Sequence, residues 1–424
     1  MKISVVGGGN AGVWTALHYA FYTRHDKKIE IELIHDPAID TFPVGQATTL
    51  DVVNLLWLAC GTTWYNNVIR ATPKLGILYE NWSKKNPNIY HAFPYKDIAI
   101  QIDPKYFQRY LLDSGWFDVK EENVTDLDKL DTDVIFDCRG RQDDFSPENH
   151  DVEYDDMFCP VNSVLLAVGP QDKLQLWSRH AATPDGWAFI IPNTTDTLSY
   201  GYLYNSDITP LETAQTNFKE LYPDISESYS GHFEHTQETF NLPFRSYIAK
   251  EPARIDDAGR KIILNGNRLG FLEPMESTSI GMYLAVSRFC FEWVIGLDGV
   301  ERSMQAYHTL SPNAINQMNR IQTRDVTSRI KNYYNEIYTF ILWHYVKGSI
   351  YDTPFWEYAK RETPPIFEEF KNPNFDNLVE FANSMDYTDC RNITDQPAST
   401  VAFCEFAQWP PYSIKLWYDE YINA

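Results

Sequence analysis

In the stretch FLEPMESTSIGMYLA, residues 271–285, the carboxylate of Glu276 is set among Met275, Ser277, Thr278 and Ser279. The hydroxyls mark a turn or a helix start, and Ile280, Met282, Tyr283 and Leu284 after them read as buried. A carboxylate on the rim of an apolar segment acts on a neighbouring positive charge far more strongly than it would in water. On its own, an acid before Ser-Thr is also what the helix dipole favours at an ordinary helix start.

A second cluster lies near the N-terminus. VVGGGNAG places Gly7, Gly9 and Gly12 in a GxGxxG pattern, with Ala11 inside it. The pattern follows a short apolar strand over residues 2–6 and opens an apolar helix. IEIELIHD, residues 29–36, then alternates like a second strand, which completes a β-turn-α-β frame. Glycine at these positions permits a tight turn and a close approach of backbone to a pyrophosphate at the helix N-terminus. The turn therefore predicts a dinucleotide. The acid that would hold its ribose should end the second strand. His35 stands there in place of the usual Glu, and Asp36 follows; either Asp36 takes the role or the adenosine end binds loosely, with a solvent-facing His-Asp pair as the alternative. A later strand, VIFDCRG at 134–140, favours FAD over NAD by analogy with two-stretch FAD binders of the hydroxylase type.

The elements that must carry these groups read as one assembly. Residues 50–70 look helical, and 118–134 are acidic and exposed. Residues 160–204 hold several short aromatic strands, and 259–274 give one more strand and a turn. From about 281 the pattern is mainly helical, with Pro-rich breaks at 364–365 and 410–411. The fold class expected is α/β: a Rossmann-like FAD-binding module of the flavin-hydroxylase type, with an inserted β-sheet and a helical C-terminal part. The division falls at 1–282 and 283–424, as one continuous unit.

Composition bounds the function. The chain has 424 residues, 44 % hydrophobic and 22 % charged, enough for one large α/β unit or several ordinary domains. A net charge of −22 argues against nucleic acid and anionic membrane surfaces, which need clustered Lys and Arg. No apolar run reaches the roughly 18 residues of a membrane span. MKISVVGGGN reads as a strand entering a glycine turn rather than a signal peptide. The six cysteines form no CxxC pair, so a cytoplasmic protein with free thiols is expected. His232 and His235 have metal-like spacing but no evident third ligand, and no metal site is assigned. The 12 Trp and 27 Tyr could cover an interface as well as a core, which leaves a homo-oligomer open.

Five further stretches line up in order. DTFPVGQATTL (40–50) resembles the loop written GVGEATIP in flavin-dependent tryptophan halogenases, and RATPKLGILYENW (70–82) resembles their lysine-bearing segment. GWAFIIPN (186–193) resembles their WxWxIP signature, and FLEPMESTSI (271–280) their glutamate segment. FILWHYVKGSIYDTPFW (340–356) resembles their helical region beyond the flavin module. On this set the chain is similar to the flavin-dependent halogenase family, and within it to compact, virus-encoded members. The resemblance implies that Gly7, Gly9 and Gly12 hold the FAD pyrophosphate and that Gly45, Gln46 and Ala47 lie along the flavin. It implies Lys74 as the catalytic lysine and Glu276 as the catalytic glutamate. Backbone at Thr278 and Ser279 would bind halide, Ile280 would border the flavin, and His91 and Phe93 would form an aromatic substrate wall. The signature reads Trp187, Phe189, Ile191, Pro192, with Phe189 in place of a Trp, and Gln46 replaces an acid.

The implied chemistry is halogenation. Reduced FAD, delivered by a separate flavin reductase or as the free cofactor, would yield hypohalous acid from O₂ and halide. Lys74 would hydrogen-bond that acid or form a haloamine, aided by a pKa lowered on burial. Glu276 would stabilise the arenium cation or take its proton. The shorter C-terminal part implies an open pocket for small electron-rich rings such as indoles or phenols. Two other readings stay open: a single-component flavin monooxygenase or oxidoreductase on the same scaffold, and an inactive FAD-binding protein.

Overall fold

In the computed structural model the first strand, Lys2–Val6, lies between two parallel partners, Glu30–His35 and Val134–Asp137. Its residues from Ile3 onward are buried, which explains why it reads as an unbroken apolar run rather than an alternating one. The structure describes residues 1–39, 44–94, 97–140, 152–225, 240–307, 326–388 and 409–424. Lys261–Leu264 extends the sheet in parallel on one side, and Ala253–Ile255 closes that edge antiparallel. On the other side Asp118–Glu121 pairs with Glu30–His35. The acidic segment expected to be exposed thus supplies an edge strand, exposed along its whole length; its charges suit an edge that must not recruit another strand.

The helix Asn10–Thr23 crosses this six-stranded sheet, with nearly all its residues buried. It is covered in turn by the helix Ser279–Phe289, to which Tyr19 is tied by a hydrogen bond from its hydroxyl to Ser287 O at 3.0 Å. A division at 282/283 falls within that helix.

The aromatic strands expected over 160–204 form the centre of a second sheet. Its order is Phe240–Pro243, Ser163–Pro170, Thr197–Tyr204, Gly186–Ile191, Ser178–Thr183, Gly76–Glu80, Asn88–Ala92. All neighbours are antiparallel except Ser178–Thr183 with Gly76–Glu80. A small sheet of Gln46–Ala47, Ala99–Ile102 and Thr72–Lys74 carries Lys74 at a strand end. Another, of Tyr154–Met157, Ser246–Ala249 and Gly270–Phe271, leads directly into the Glu276 turn.

Two expectations are corrected. The helical reading of 50–70 holds only for Leu50–Cys60, because Gly61 at φ 60° ends the helix in the left-handed conformation. Pro364 and Pro365 do not break the chain: they lie inside the helix Pro354–Phe370. That helix survives the missing N–H donors because Phe355, Trp356, Ala359, Thr363 and Phe367 anchor one face in the core. Pro410 and Pro411 instead open a helix, Pro411–Trp417. One apolar cluster runs from Ile3 through both sheets to Tyr421. Among the described residues no helix is long and apolar enough to cross a membrane.

Candidate active site

The glycine turn closes by contact. A Cβ on Gly12 would lie 1.8 Å from Gly7 O, and one on Gly7, whose φ is 117°, would lie 2.4 Å from Cys138 O. Only glycine lets the turn pack this tightly. Gly9 has nothing within 4 Å of where its Cβ would be, so the backbone is bare on the side facing a cavity of about 640 Å³. Gly7, Gly9, Ala11, Asp36, Gly45, Gln46 and Ala47 line that cavity. Oδ1 of Asn10, at the helix start, is buried without a partner. A bare backbone at a helix N-terminus with an orphaned polar atom fits a dinucleotide pyrophosphate. Asp36 Oδ1 also accepts from Ala38 N at 2.9 Å. The far end of the cavity reaches Phe189, Ile191, Pro274, Ser277 and Ser279, next to Glu276.

Lys74 is fully buried, and its Nζ donates to Thr48 O at 3.2 Å and lies 5.5 Å from the centre of the Phe93 ring. Burial pulls its pKa down to about 7, although Glu276 pulls the other way. Thr72, at the start of the same strand, donates its hydroxyl to Pro192 O and so fastens the lysine strand to the signature strand. Gly281 lets the helix Ser279–Phe289 settle on the neighbouring Thr49, whose Oγ1 would be 2.6 Å from a Cβ there.

Glu276 and Ser277 both adopt left-handed backbone, φ 65° and 56°, a conformation that costs on the order of 1 kcal/mol or more for each non-glycine residue. The strain turns the Glu276 carboxylate inward, where it is 1 % exposed. Oε1 accepts from the Tyr79 hydroxyl. His344 Nε2 lies 2.8 Å from it and His91 Nδ1 3.6 Å, at ion-pair distance without aligned hydrogen bonds. Oε2 accepts from Trp409 Nε1 at 2.6 Å. Burial opposes ionisation, but His344 and His91 outweigh it and hold the carboxyl well below the usual carboxylate range. His91 itself is lowered, chiefly by burial.

Thr278 and Ser279 lie at the start of the helix Ser279–Phe289, where the first backbone N–H groups have no intrahelical acceptor. Ser279 lines the cavity; Thr278 and Ile280 are buried beside it. The signature residues divide. Phe189 and Ile191 face the cavity, whereas Trp187 turns its N–H to Glu273 Oε2 at 3.2 Å. Pro192 contributes its carbonyl to Thr72. His91 and Phe93 both stack on Trp409, at 3.9 and 4.5 Å between ring centres. His232 and His235 lie outside the described residues.

Sequence reasoning missed Tyr79, His344, Trp409 and Glu273. Tyr79 alternates inward with Ile77 on its strand, a readable sign of burial but not of its partner. His344 sits at the end of an apolar helix, where a lone histidine reads as a core residue. Glu273 stands three residues before Glu276 in the quoted stretch and is equally buried. Its Oε2 accepts from Tyr345 at 2.6 Å and from Trp187, its Oε1 has no partner, and burial raises its pKa to about 7.

A largely parallel sheet with a closed glycine turn, and a cavity running from it to the turn that carries Glu276, define a dinucleotide-binding α/β protein of the FAD type. The family model described as tryptophan halogenase matches residues 2–122 and 112–373, and the chain belongs to that family. It is 30 % identical over 132 residues to the 7-chloro-L-tryptophan 6-halogenase KtzR of Kutzneria sp. (strain 744), a match covering 31 % of this chain and 23 % of that protein. It is 32 % identical over 95 residues to the tryptophan 6-halogenase SttH of Streptomyces toxytricini, covering 22 % of this chain and 17 % of SttH. The chain thus spans less than a quarter of the length of either curated relative in these matches. The crystal structure of SttH shares the fold at a TM-score of 0.71 and 17 % identity, over 98 % of this chain and 90 % of that one. Xcc4156, a flavin-dependent halogenase from Xanthomonas campestris, does so at 0.64 and 19 %, over 90 % and 83 %.

Proposed function

We propose that the chain is a flavin-dependent halogenase acting on a small electron-rich aromatic substrate. The observation that carries this reading is the convergence of Lys74 and Glu276, both buried, on one aromatic cluster: Lys74 over Phe93, and Glu276 beside His91. Reduced FAD, when bound, supplies hypohalous acid from O₂ and halide. Gly7, Gly9, Ala11 and Gly12 would hold its pyrophosphate, Asp36 its ribose, and Gly45, Gln46, Ala47 and Ile280 its flavin end. Backbone N–H groups at Thr278 and Ser279 would hold the halide, as helix N-termini hold anions.

The Lys74 ammonium donates to the oxygen of the hypohalous acid, which holds the halogen toward the ring and helps the oxygen depart as water. Attack by the ring leaves a cation. Glu276, kept ionised by His344 and His91, stabilises that charge and takes the ring proton. The buried setting makes each interaction stronger than in water. Electrons reach the flavin from a separate reductase or as free reduced FAD. A cytoplasmic setting and likeness to compact virus-encoded members belong to the same proposal, supported by the free thiols and the motif set alone; a homo-oligomer stays open.

The test is turnover read by mass spectrometry. Protein, FAD, a flavin reductase, NADH and O₂ are combined with chloride, bromide or iodide, catalase, and a panel of indoles, phenols and anilines. Halogenated product is expected, and Lys74→Ala should lower it at least a hundredfold. Product carrying oxygen and no halogen would assign a hydroxylase, and halogenation that survives Lys74→Ala would remove the catalytic pair. FAD binding with no product on any ring would support the inactive reading.

A further inference from the structure

Trp409 puts an indole against Glu276, His91 and Phe93. Its N–H donates to Glu276 Oε2 at 2.6 Å. One face lies 3.9 Å from the His91 ring, with planes 24° apart, and the ring lies 4.5 Å from Phe93, with planes 6° apart. The side chain is 3 % exposed. These are the contacts that a flat donor-bearing ligand would make with the wall and the acid of the site. At such separations no second ring fits between Trp409 and either residue, since stacked aromatics already touch at about 3.5–4 Å.

The local chain explains how the indole is held. Pro410 is extended, at φ −68° and ψ 155°, and Pro411 begins the helix Pro411–Trp417. Ser413 in that helix donates to Ala92 O at 2.7 Å, between His91 and Phe93 in the sequence. Trp417, at the helix end, packs 4.7 Å from Tyr79 and 4.7 Å from His344, two more partners of Glu276. One short helix is therefore docked on the cluster around Glu276 at several points, and Trp409, just before it, is the inserted residue.

We propose that Trp409 is an internal occupant of the substrate slot and the residue that sets its specificity. An incoming ring binds only by displacing the indole, so its apparent affinity is its intrinsic affinity scaled by the fraction of molecules with the slot open. Rings that both stack on His91 and Phe93 and donate to Glu276 compete best, because a displaced Trp409 otherwise leaves a buried carboxylate oxygen unpaired. The naming of the slot rests on the halogenase reading; the occupancy does not.

The test uses FAD-loaded protein and indole as the probe. With 5-fluorotryptophan incorporated at all 12 tryptophans, the fluorine resonance missing in Trp409→Phe identifies Trp409. Saturating indole should move that resonance. Calorimetry should give a Kd for indole about tenfold lower in Trp409→Phe, which keeps the stack but loses the charge-assisted bond to Glu276. 1-Methylindole, which stacks without donating, should gain less. Weaker indole binding in Trp409→Phe would overturn the proposal and make Trp409 a wall on which substrate rests. So would an unmoved resonance, or no binding of indole to either form. Tighter binding in the variant without any halogenated product from the wild type would keep this inference and discard the halogenase reading; a working halogenase whose variant binds indole more weakly would do the reverse.

Discussion

His344 Nε2 lies 2.8 Å from Glu276 Oε1, while His344 Nδ1 is engaged with Phe340 O at 2.7 Å. A carbonyl only accepts, so Nδ1 carries a proton and donates it there, which leaves Nε2 facing the carboxylate at ion-pair distance. Burial alone would raise the Glu276 pKa, and His344 is the first of the groups that reverse it. His344→Gln should therefore raise it. In the proposed mechanism the carboxylate is the active form, so the acid limb of the kcat profile should move to higher pH by at least about one unit, with kcat down about tenfold at neutral pH. An unmoved acid limb in single turnovers with pre-reduced FAD would remove Glu276 from the role of base.

In the same proposal Lys74 sets the other limb. Its pKa of about 7 reflects burial acting against Glu276, and its contacts, a carbonyl and an aromatic face, suit an ammonium rather than an amine. Acting as a donor, it loses its proton as pH rises, so kcat should fall through pH 7–8. Glu276→Gln removes the charge that favours the ammonium, so in the residual activity this limb should move to lower pH. A rate that instead rises through pH 7 would assign the neutral amine, and with it the haloamine route.

How much of this was legible follows from how local each feature is. The glycine turn and its βαβ frame are encoded within roughly thirty residues, and the close contact at Gly12 is made inside that frame, whereas the one at Gly7 is made with Cys138 on a distant strand end. Lys74 and Glu276 were legible only as members of an ordered motif set. Tyr79, His344 and Trp409 act on Glu276 from a strand, a helix end and the start of another helix, and their sequence neighbourhoods show only burial. The prolines at 364–365 misled because tertiary packing outweighed a local breaker. Glu273 was passed over although it stands beside the acid that drew attention.

The two ends of the glycine pattern should separate folding from cofactor binding. At Gly12 an added Cβ meets Gly7 O at 1.8 Å, whereas at Gly9 it meets nothing within 4 Å and the backbone needs no positive φ. Gly12→Ala is expected to lower the melting temperature by several degrees and abolish FAD binding. Gly9→Ala is expected to melt within about 2 °C of the parent, as surface changes do, yet to bind FAD at least tenfold more weakly because the methyl group stands where the pyrophosphate must approach. Equal FAD affinity in Gly9→Ala, measured by flavin fluorescence, would place the phosphates elsewhere in the cavity.

Glu273 offers a stability experiment that needs no substrate. Burial raises its pKa from 4.5 to about 7 in the fold, against the hydrogen bonds from Tyr345 and Trp187. The folded chain thus holds a proton that the unfolded chain releases between these values. The sign follows from linkage: Glu273 contributes falling stability as pH rises from about 4.5 to 7, by on the order of 3 kcal/mol in all. Glu273→Gln keeps an acceptor for Tyr345 and Trp187 and cannot ionise. Parent and variant should be similarly stable at pH 5, and the variant should be the more stable at pH 8 by on the order of 2–3 kcal/mol in urea titrations. If the difference between the two stays constant from pH 5 to 8, Glu273 is already ionised at the lower pH and the hydrogen bonds outweigh burial.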